Sequence, residues 1–414
     1  MIVFLHALIW LLASVVFIVR YKRNPQGFYL NYLFYLLFFG LFYISLPSII
    51  SLLTSFSHVG ASVDTISITA VIGLYFVTVF LIGYTISKDK NVSINSVNIH
   101  RFKSLLFIIR FLATILSVYI AYVVMLNFQH IMSVPDVRGV KSNLYTLLDS
   151  QYKIMAIFSF HVLLVIYLFF QLKKLKYVLF LSPYVLLELL LSGRTYIFLV
   201  FFLFFIFSIL KNKILSIKFV AIILLAIVGI GVLRVPGDFQ MEYLLLIFYE
   251  FIFTWTTVHL VFESGLTQGF SDSVVYGVMR FFPSFFYSYI FGEYMSYTKI
   301  SGDANPLGWG IGGSIVAEAI SYKNTLIIFL YPVVIVAYGF SMNWLLRMNY
   351  VTGKIIFVLA ILQIQQLFRY SFSEFALYPF YMVFFLGFYI IATDLYYLAT
   401  VKDRKTIIIS REVK

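Results

Sequence analysis

Apolar runs long enough to cross a lipid bilayer recur from one end of this 414-residue chain to the other. A spanning helix needs roughly 20 apolar residues, and inside hydrocarbon only helices or closed barrels satisfy every backbone polar group. A barrel would show short alternating segments, whereas these runs are continuous. The reading is therefore an all-α polytopic membrane protein. Composition agrees, because 62% of residues are hydrophobic and only 11% are charged. The first run, Ile2 to Val19, lacks the basic start and small-residue cleavage site of a signal peptide and reads as a retained helix.

Spans are expected at about 2–19, 28–53, 65–87, 104–126, 154–170, 178–191, 195–210, 219–233, 324–346, 355–369 and 378–400, which makes eleven crossings in one integral membrane domain over 1–414. Alternate connections hold twenty Lys and Arg residues, from Arg20, Lys22 and Arg23 to the tail Lys402–Lys414, against five in the opposite short connections. By the positive-inside rule the C-terminus is cytoplasmic and the N-terminus is outside. The net charge of +13 is thereby explained by topology, and a nucleic-acid partner is not expected. A large outer loop then occupies 235–323. Within it the apolar run Tyr243 to Phe262 is expected to lie along the outer face or to re-enter as a pair with Val274 to Ile290. A single extra crossing there would throw the basic tail outside.

Carboxylates and arginines share that outer side. Ser192-Gly193-Arg194-Thr195 makes a tight turn, with Arg194 in the first turn of a helix, where free N–H groups and the dipole favour an anion. A cation there either serves a ligand or snorkels to lipid phosphates. Arg234 ends a span and reads as an interfacial anchor or a ligand contact. Arg280 stands among apolar neighbours, and a guanidinium suits bidentate phosphate binding. Arg369 lies at the outer end of the tenth span, and Arg138 falls in a polar loop. In Gly308-Trp309-Gly310-Ile311-Gly312-Gly313 no strand precedes the glycines, so the cluster is no dinucleotide fingerprint. Its use is mechanical: Gly312 and Gly313 let backbone approach a ligand, and Ser314 caps an apolar helix carrying Glu318. That carboxylate is either paired with an arginine or raised in pKa for general-base work. Tyr276 and Trp309 read as interfacial membrane anchors. Glu188, mid-span, is a candidate partner for Arg194. The histidines are scattered singly, cysteine is absent, and no metal site or cofactor is expected.

Leu191-Ser192-Gly193-Arg194-Thr195, together with Gly310-Ile311-Gly312-Gly313-Ser314-Ile315-Val316-Ala317-Glu318-Ala319, resembles the oligosaccharide repeat unit polymerases, the O-antigen polymerases of the Wzy type. That family has about a dozen spans, a mid-chain Ser-Gly-Arg turn, and a large loop closed by a glycine-rich segment ending in Ala-Glu. Here Ile320-Ser321-Tyr322 replaces the aromatic and glycine that often follow. The resemblance implies a fold of the GT-C-like, polymerase–ligase kind in the bacterial inner membrane. It implies a metal-independent glycosyltransferase joining undecaprenyl-pyrophosphate-linked oligosaccharides, donor and acceptor, in the periplasm, and a chain-length regulator as a protein partner. On this reading Glu318, Arg280 and Arg194 are catalytic, and Arg234, Arg369, Arg138, Tyr276, Trp309, Gly312 and Gly313 bind substrate among membrane lipids. The alternatives are a ligase of the same superfamily, for which His259 is the one candidate histidine, and a lipid-linked oligosaccharide flippase.

Overall fold

The computed structural model describes residues 1–55, 60–90, 92, 103–134, 138–191, 195–211, 213, 242–269, 275, 314–348 and 351–384. Among the described residues every regular element is helical, and six helices are long and apolar enough to cross a membrane. The chain is thus a helical, multi-pass membrane protein. The six are α1 (Ile2–Arg23), α2 (Tyr32–Thr54), α3 (Val63–Ile86), α4 (Lys103–Leu126, apolar from Leu106), α6 (Ile154–Leu172) and α11 (Thr325–Arg347). Between them lie α5 (Arg138–Tyr152), α7 (Ser182–Leu190), α8 (Thr195–Leu210), α9 (Glu242–Ser264) and α10 (Ile315–Ser321). After α11 come α12 (Val351–Leu362), α13 (Ile364–Arg369) and α14 (Phe372–Phe375). The expected span at 219–233 lies outside the described residues, as does most of 378–400.

Helix limits follow local chemistry. Ser62 caps α3 by accepting the Thr65 N–H, and Asn324 caps α11 by accepting from Leu326 and Ile327. Arg20, Lys22 and Arg23 fill the last turn of α1, where a cation suits the carbonyl end. Two expected spans are broken. In 178–191, a 3₁₀ turn, Leu175–Leu181, precedes α7, whose nine residues rise about 14 Å, too short to cross a bilayer. In 355–369, Gln363 interrupts the helix between α12 and α13.

The residues fall into two compact units, one comprising 1–93, 201–348 and 357–379, the other 94–200, 349–356 and 380–414. In the first, α2 is the central helix, packed by α1, α3, α9, α11 and α13. Its π-helical turn, Leu41–Ser45, delivers the Ser45 hydroxyl to the Nδ1 of His6 (2.8 Å) and the Nε1 of Trp10 (3.0 Å). The Nε2 of His6 faces the Ala70 carbonyl at 3.1 Å, so that nitrogen carries the proton and Nδ1 accepts from Ser45. Glycines let the helices close up: a Cβ at Gly83 would sit 2.5 Å from the Val336 Cγ1, and one at Gly339 would sit 2.5 Å from the Leu33 Cδ2. Phe4, Leu11, Val15 and Ile18 on α1 point outward, as a lipid-facing helix requires.

One end of this unit is basic and pinned. Arg20 pairs with Asp89 at 3.2 Å, donates to the Thr85 and Ser87 carbonyls, and stacks on Tyr84. Asn31 donates to Asp89 and Ser87 and accepts from Asn343, which ties in α11. Arg347 donates to the Lys88 carbonyl. The opposite end carries Ser62, Glu263 and Asn324.

α9 runs lengthwise and antiparallel to α3 rather than flat along the outer face; Val274 to Ile290, its partner in the expected re-entrant pair, lies outside the described residues except at 275. Glu263 accepts from the Ser62 N–H (3.1 Å) and the Thr65 hydroxyl (2.5 Å), while Trp255, two turns back, lies over Gly73. Phe251 meets the Tyr43 ring at 4.6 Å. The cause is its stripe at i, i+4 spacing, Trp255, His259 and Glu263, which fits the groove that Gly73 opens. In the second unit α6 is the buried helix, packed by α4, α5 and the 3₁₀ turn. The expected polar loop around Arg138 is helical there, as α5.

Candidate functional site

Glu318 accepts five hydrogen bonds in the first unit. α10 is capped by Ser314, whose hydroxyl accepts the Val316 N–H, and every residue of the helix is buried. The Glu318 carboxylate is wholly inaccessible. Its Oε2 accepts the Phe372 N–H at 2.7 Å. Its Oε1 accepts from the Tyr322 hydroxyl (3.1 Å), the Ser371 hydroxyl (3.1 Å), the Ser373 N–H (3.3 Å) and the Ser373 hydroxyl. Tyr331, fully buried on α11, faces the same carboxylate. All these partners are neutral donors and form a clasp; of the two expected alternatives, an arginine partner is not found among the described residues, whereas the raised pKa is. Burial pushes the carboxyl above its ordinary value, and the hydrogen bonds from Ser373 and Phe372 pull it partly back.

The clasp closes on the break between α13 and α14. Ser371 is extended and caps α14, its hydroxyl accepting the Glu374 N–H at 3.0 Å. Just before it stands Arg369, the last residue of α13, its guanidinium over the Tyr370 ring at 5.5 Å. Tyr370 stacks on Phe375, centroids 5.6 Å apart. The structure therefore brings two expected site residues, Glu318 and Arg369, into one constellation through a turn whose members the sequence reading did not single out. Ser371-Phe372-Ser373-Glu374 does have the spacing of a helix cap, and that signal was available.

Gln268 reaches the same helix from the segment after α9, its N–H donating to the Ser321 carbonyl at 3.0 Å. His259 is buried within α9 beside Trp255, ring centroids 6.2 Å apart. A histidine enclosed in a packed helix is not an accessible loop residue, which weighs against its use as the ligase histidine.

The second unit holds a separate polar group. Lys141 on α5 donates to the Leu190 carbonyl at 2.9 Å. Tyr145 and Tyr196 share a 2.6 Å hydrogen bond, and His161 lies 5.7 Å from the Tyr184 ring. Glu188 is buried on α7. Arg194, Arg234, Arg280, Tyr276, Trp309, Gly312 and Gly313 lie outside the described residues, and Arg138 is described only as the start of α5. Among the described residues no group of three or more His, Asp or Glu side chains could hold a metal ion. No family model matches the chain, and no curated protein or solved structure is significantly similar to it.

Proposed function

We propose that the protein is a lipid-linked oligosaccharide polymerase of the bacterial inner membrane. It would join undecaprenyl-pyrophosphate-linked repeat units at the outer face to build O-antigen or a related surface glycan. The observation that carries the reading is the clasp. The helix Ile315–Ser321, whose Ala317-Glu318 resembles the close of the polymerase loop, is anchored by Glu318 to the turn that presents Arg369. The gathering of Arg20, Lys88 and Arg347 at the opposite end of the same unit supports the sidedness, with the C-terminus cytoplasmic and the N-terminus periplasmic.

In the proposed reaction an acceptor sugar hydroxyl attacks the anomeric carbon of the donor glycan with inversion. The bond to pyrophosphate breaks, and undecaprenyl pyrophosphate departs. Arg369, with Arg194, Arg234 and Arg280, would neutralise the charge that develops on that leaving group, the work a metal ion does elsewhere. The hydroxyl proton passes to a general base at the same face.

The test is polymerisation by the purified protein, reconstituted in vesicles with synthetic undecaprenyl-pyrophosphate-linked repeat units. A ladder of lengthening products is expected. Unlinked single repeats on both leaflets would point to a flippase. Transfer only onto lipid A core would point to a ligase.

A further inference from the structure

The bonding and burial of Glu318 count against the role of base. Four of its five donors crowd Oε1, the fifth holds Oε2, and neither oxygen has solvent contact. A base must reach the proton it takes, directly or through one water. What the donors share is position. Four of the five come from Ser371, Phe372 and Ser373, the residues that follow Arg369 and Tyr370.

That break is the part of α13–α14 least determined by its own helices. Tyr370 has left helical geometry (φ −121°, ψ −84°), and Ser371 is extended (φ −160°, ψ 145°). An acceptor-only side chain satisfies two successive backbone N–H groups and two hydroxyls at once, which no neutral side chain can do. Downstream, the Tyr370 ring, on which the Arg369 guanidinium rests, is stacked against Phe375 beyond the break. The direction of the guanidinium thus depends on the turn, and the turn on the carboxylate 53 residues earlier in the chain.

We infer that Glu318 is a positioning residue: by clasping the Ser371–Ser373 turn it aims Arg369 at a pyrophosphate group. This rests on the proposed polymerase reading for its ligand. The geometry of the clasp stands without it.

Two readouts separate the possibilities: binding of inorganic pyrophosphate to purified protein in phosphatidylcholine nanodiscs, and KM and kcat for polymerisation. Glu318→Gln is expected to weaken pyrophosphate binding by about tenfold, the loss that accompanies one misdirected charged hydrogen bond. It should raise KM while kcat stays within about tenfold of the parent. Ser373→Ala, which removes one hydroxyl and leaves the fold intact, should reproduce the shift in smaller measure. Arg369→Ala should abolish the effect of Glu318→Gln, so that the double variant binds pyrophosphate no more weakly than Arg369→Ala alone.

Glu318→Gln binding pyrophosphate normally but losing all turnover would make Glu318 the base and overturn the inference. Unchanged binding and unchanged KM in both Glu318→Gln and Ser373→Ala would overturn it equally. So would additive losses in the double variant. Pyrophosphate binding that requires Arg369 but vanishes on adding phosphatidylglycerol would make Arg369 a headgroup anchor, against the inference. Failure of the functional reading has its own signature: pyrophosphate binding that depends on both residues in a protein that polymerises nothing.

Discussion

Gly83→Ala tests whether glycine contacts set the spacing of the spanning helices. A Cβ at position 83 would stand 2.5 Å from the Val336 Cγ1, 3.1 Å from its Cγ2 and 3.4 Å from its Cβ. Ordinary contact begins near 3.4 Å, so α3 and α11 must part by close to 0.9 Å at that level. Val336 cannot yield by rotating, because both methyls and the branch carbon already face the site. Overpacking of this kind costs about 1–3 kcal/mol, and exchanging glycine for alanine in a helix returns up to about 1 kcal/mol. The net expectation is a loss of about 1–2 kcal/mol, or about 2–6 °C in Tm. Thermal unfolding of the purified protein in detergent, followed by tryptophan fluorescence, reads this directly. Val336→Ala removes the obstructing methyls, so Gly83→Ala/Val336→Ala should show a favourable coupling of about 1 kcal/mol or more. A neutral Gly83→Ala, or a double variant whose losses simply add, would refute the claim that this contact sets the helix spacing.

Asp89→Ala leaves the Arg20 guanidinium with three oxygen acceptors and the Tyr84 ring, but without its charge partner, and deprives Asn31 of an acceptor. The pair is nearly buried, so the loss should fall between the surface and buried cases, at about 2–3 kcal/mol, read by the same melt and by a cycle with Arg20→Ala. Ser45→Ala orphans His6 and Trp10 together and is expected to cost about 1–3 kcal/mol, whereas Ser45→Thr, which keeps the hydroxyl, should cost less. The Thr65 hydroxyl and the Ser62 N–H hold the Glu263 carboxyl below its usual 4.5, at the end of α9 beyond the spanning segments. A depressed folded value means that this stabilisation is present above about pH 4.5 and lost as pH falls through the lower folded value. Glu263→Gln should therefore flatten the acid side of the stability profile, and an unchanged acid slope would remove the contact from the account.

The sequence alone settles the class of this protein, because hydrocarbon admits few solutions: long apolar runs must become helices. Local signals also set several limits closely, as where Asn324 starts the helix Thr325–Arg347 against an expected 324–346. The break at Gln363 and the short Ser182–Leu190 helix escaped, since an apolar run has the same composition whether or not it stays continuous. So did the placement of Glu242–Ser264. Its Glu250 and His259 suggest a surface, but its seat depends on a groove opened by Gly73 on another helix.

For the candidate site the division is sharper. Sequence could mark Glu318 as a carboxylate out of place on an apolar helix, and Arg369 as a cation at a span end. It could not say that Ser371, Phe372 and Ser373 would enclose that carboxylate, because periodicity encodes which face is buried and not which distant side chains meet there. Only the packing of Ile315–Ser321 beside Ile364–Arg369 turned an isolated charge into a clasp, by burying it among protein donors.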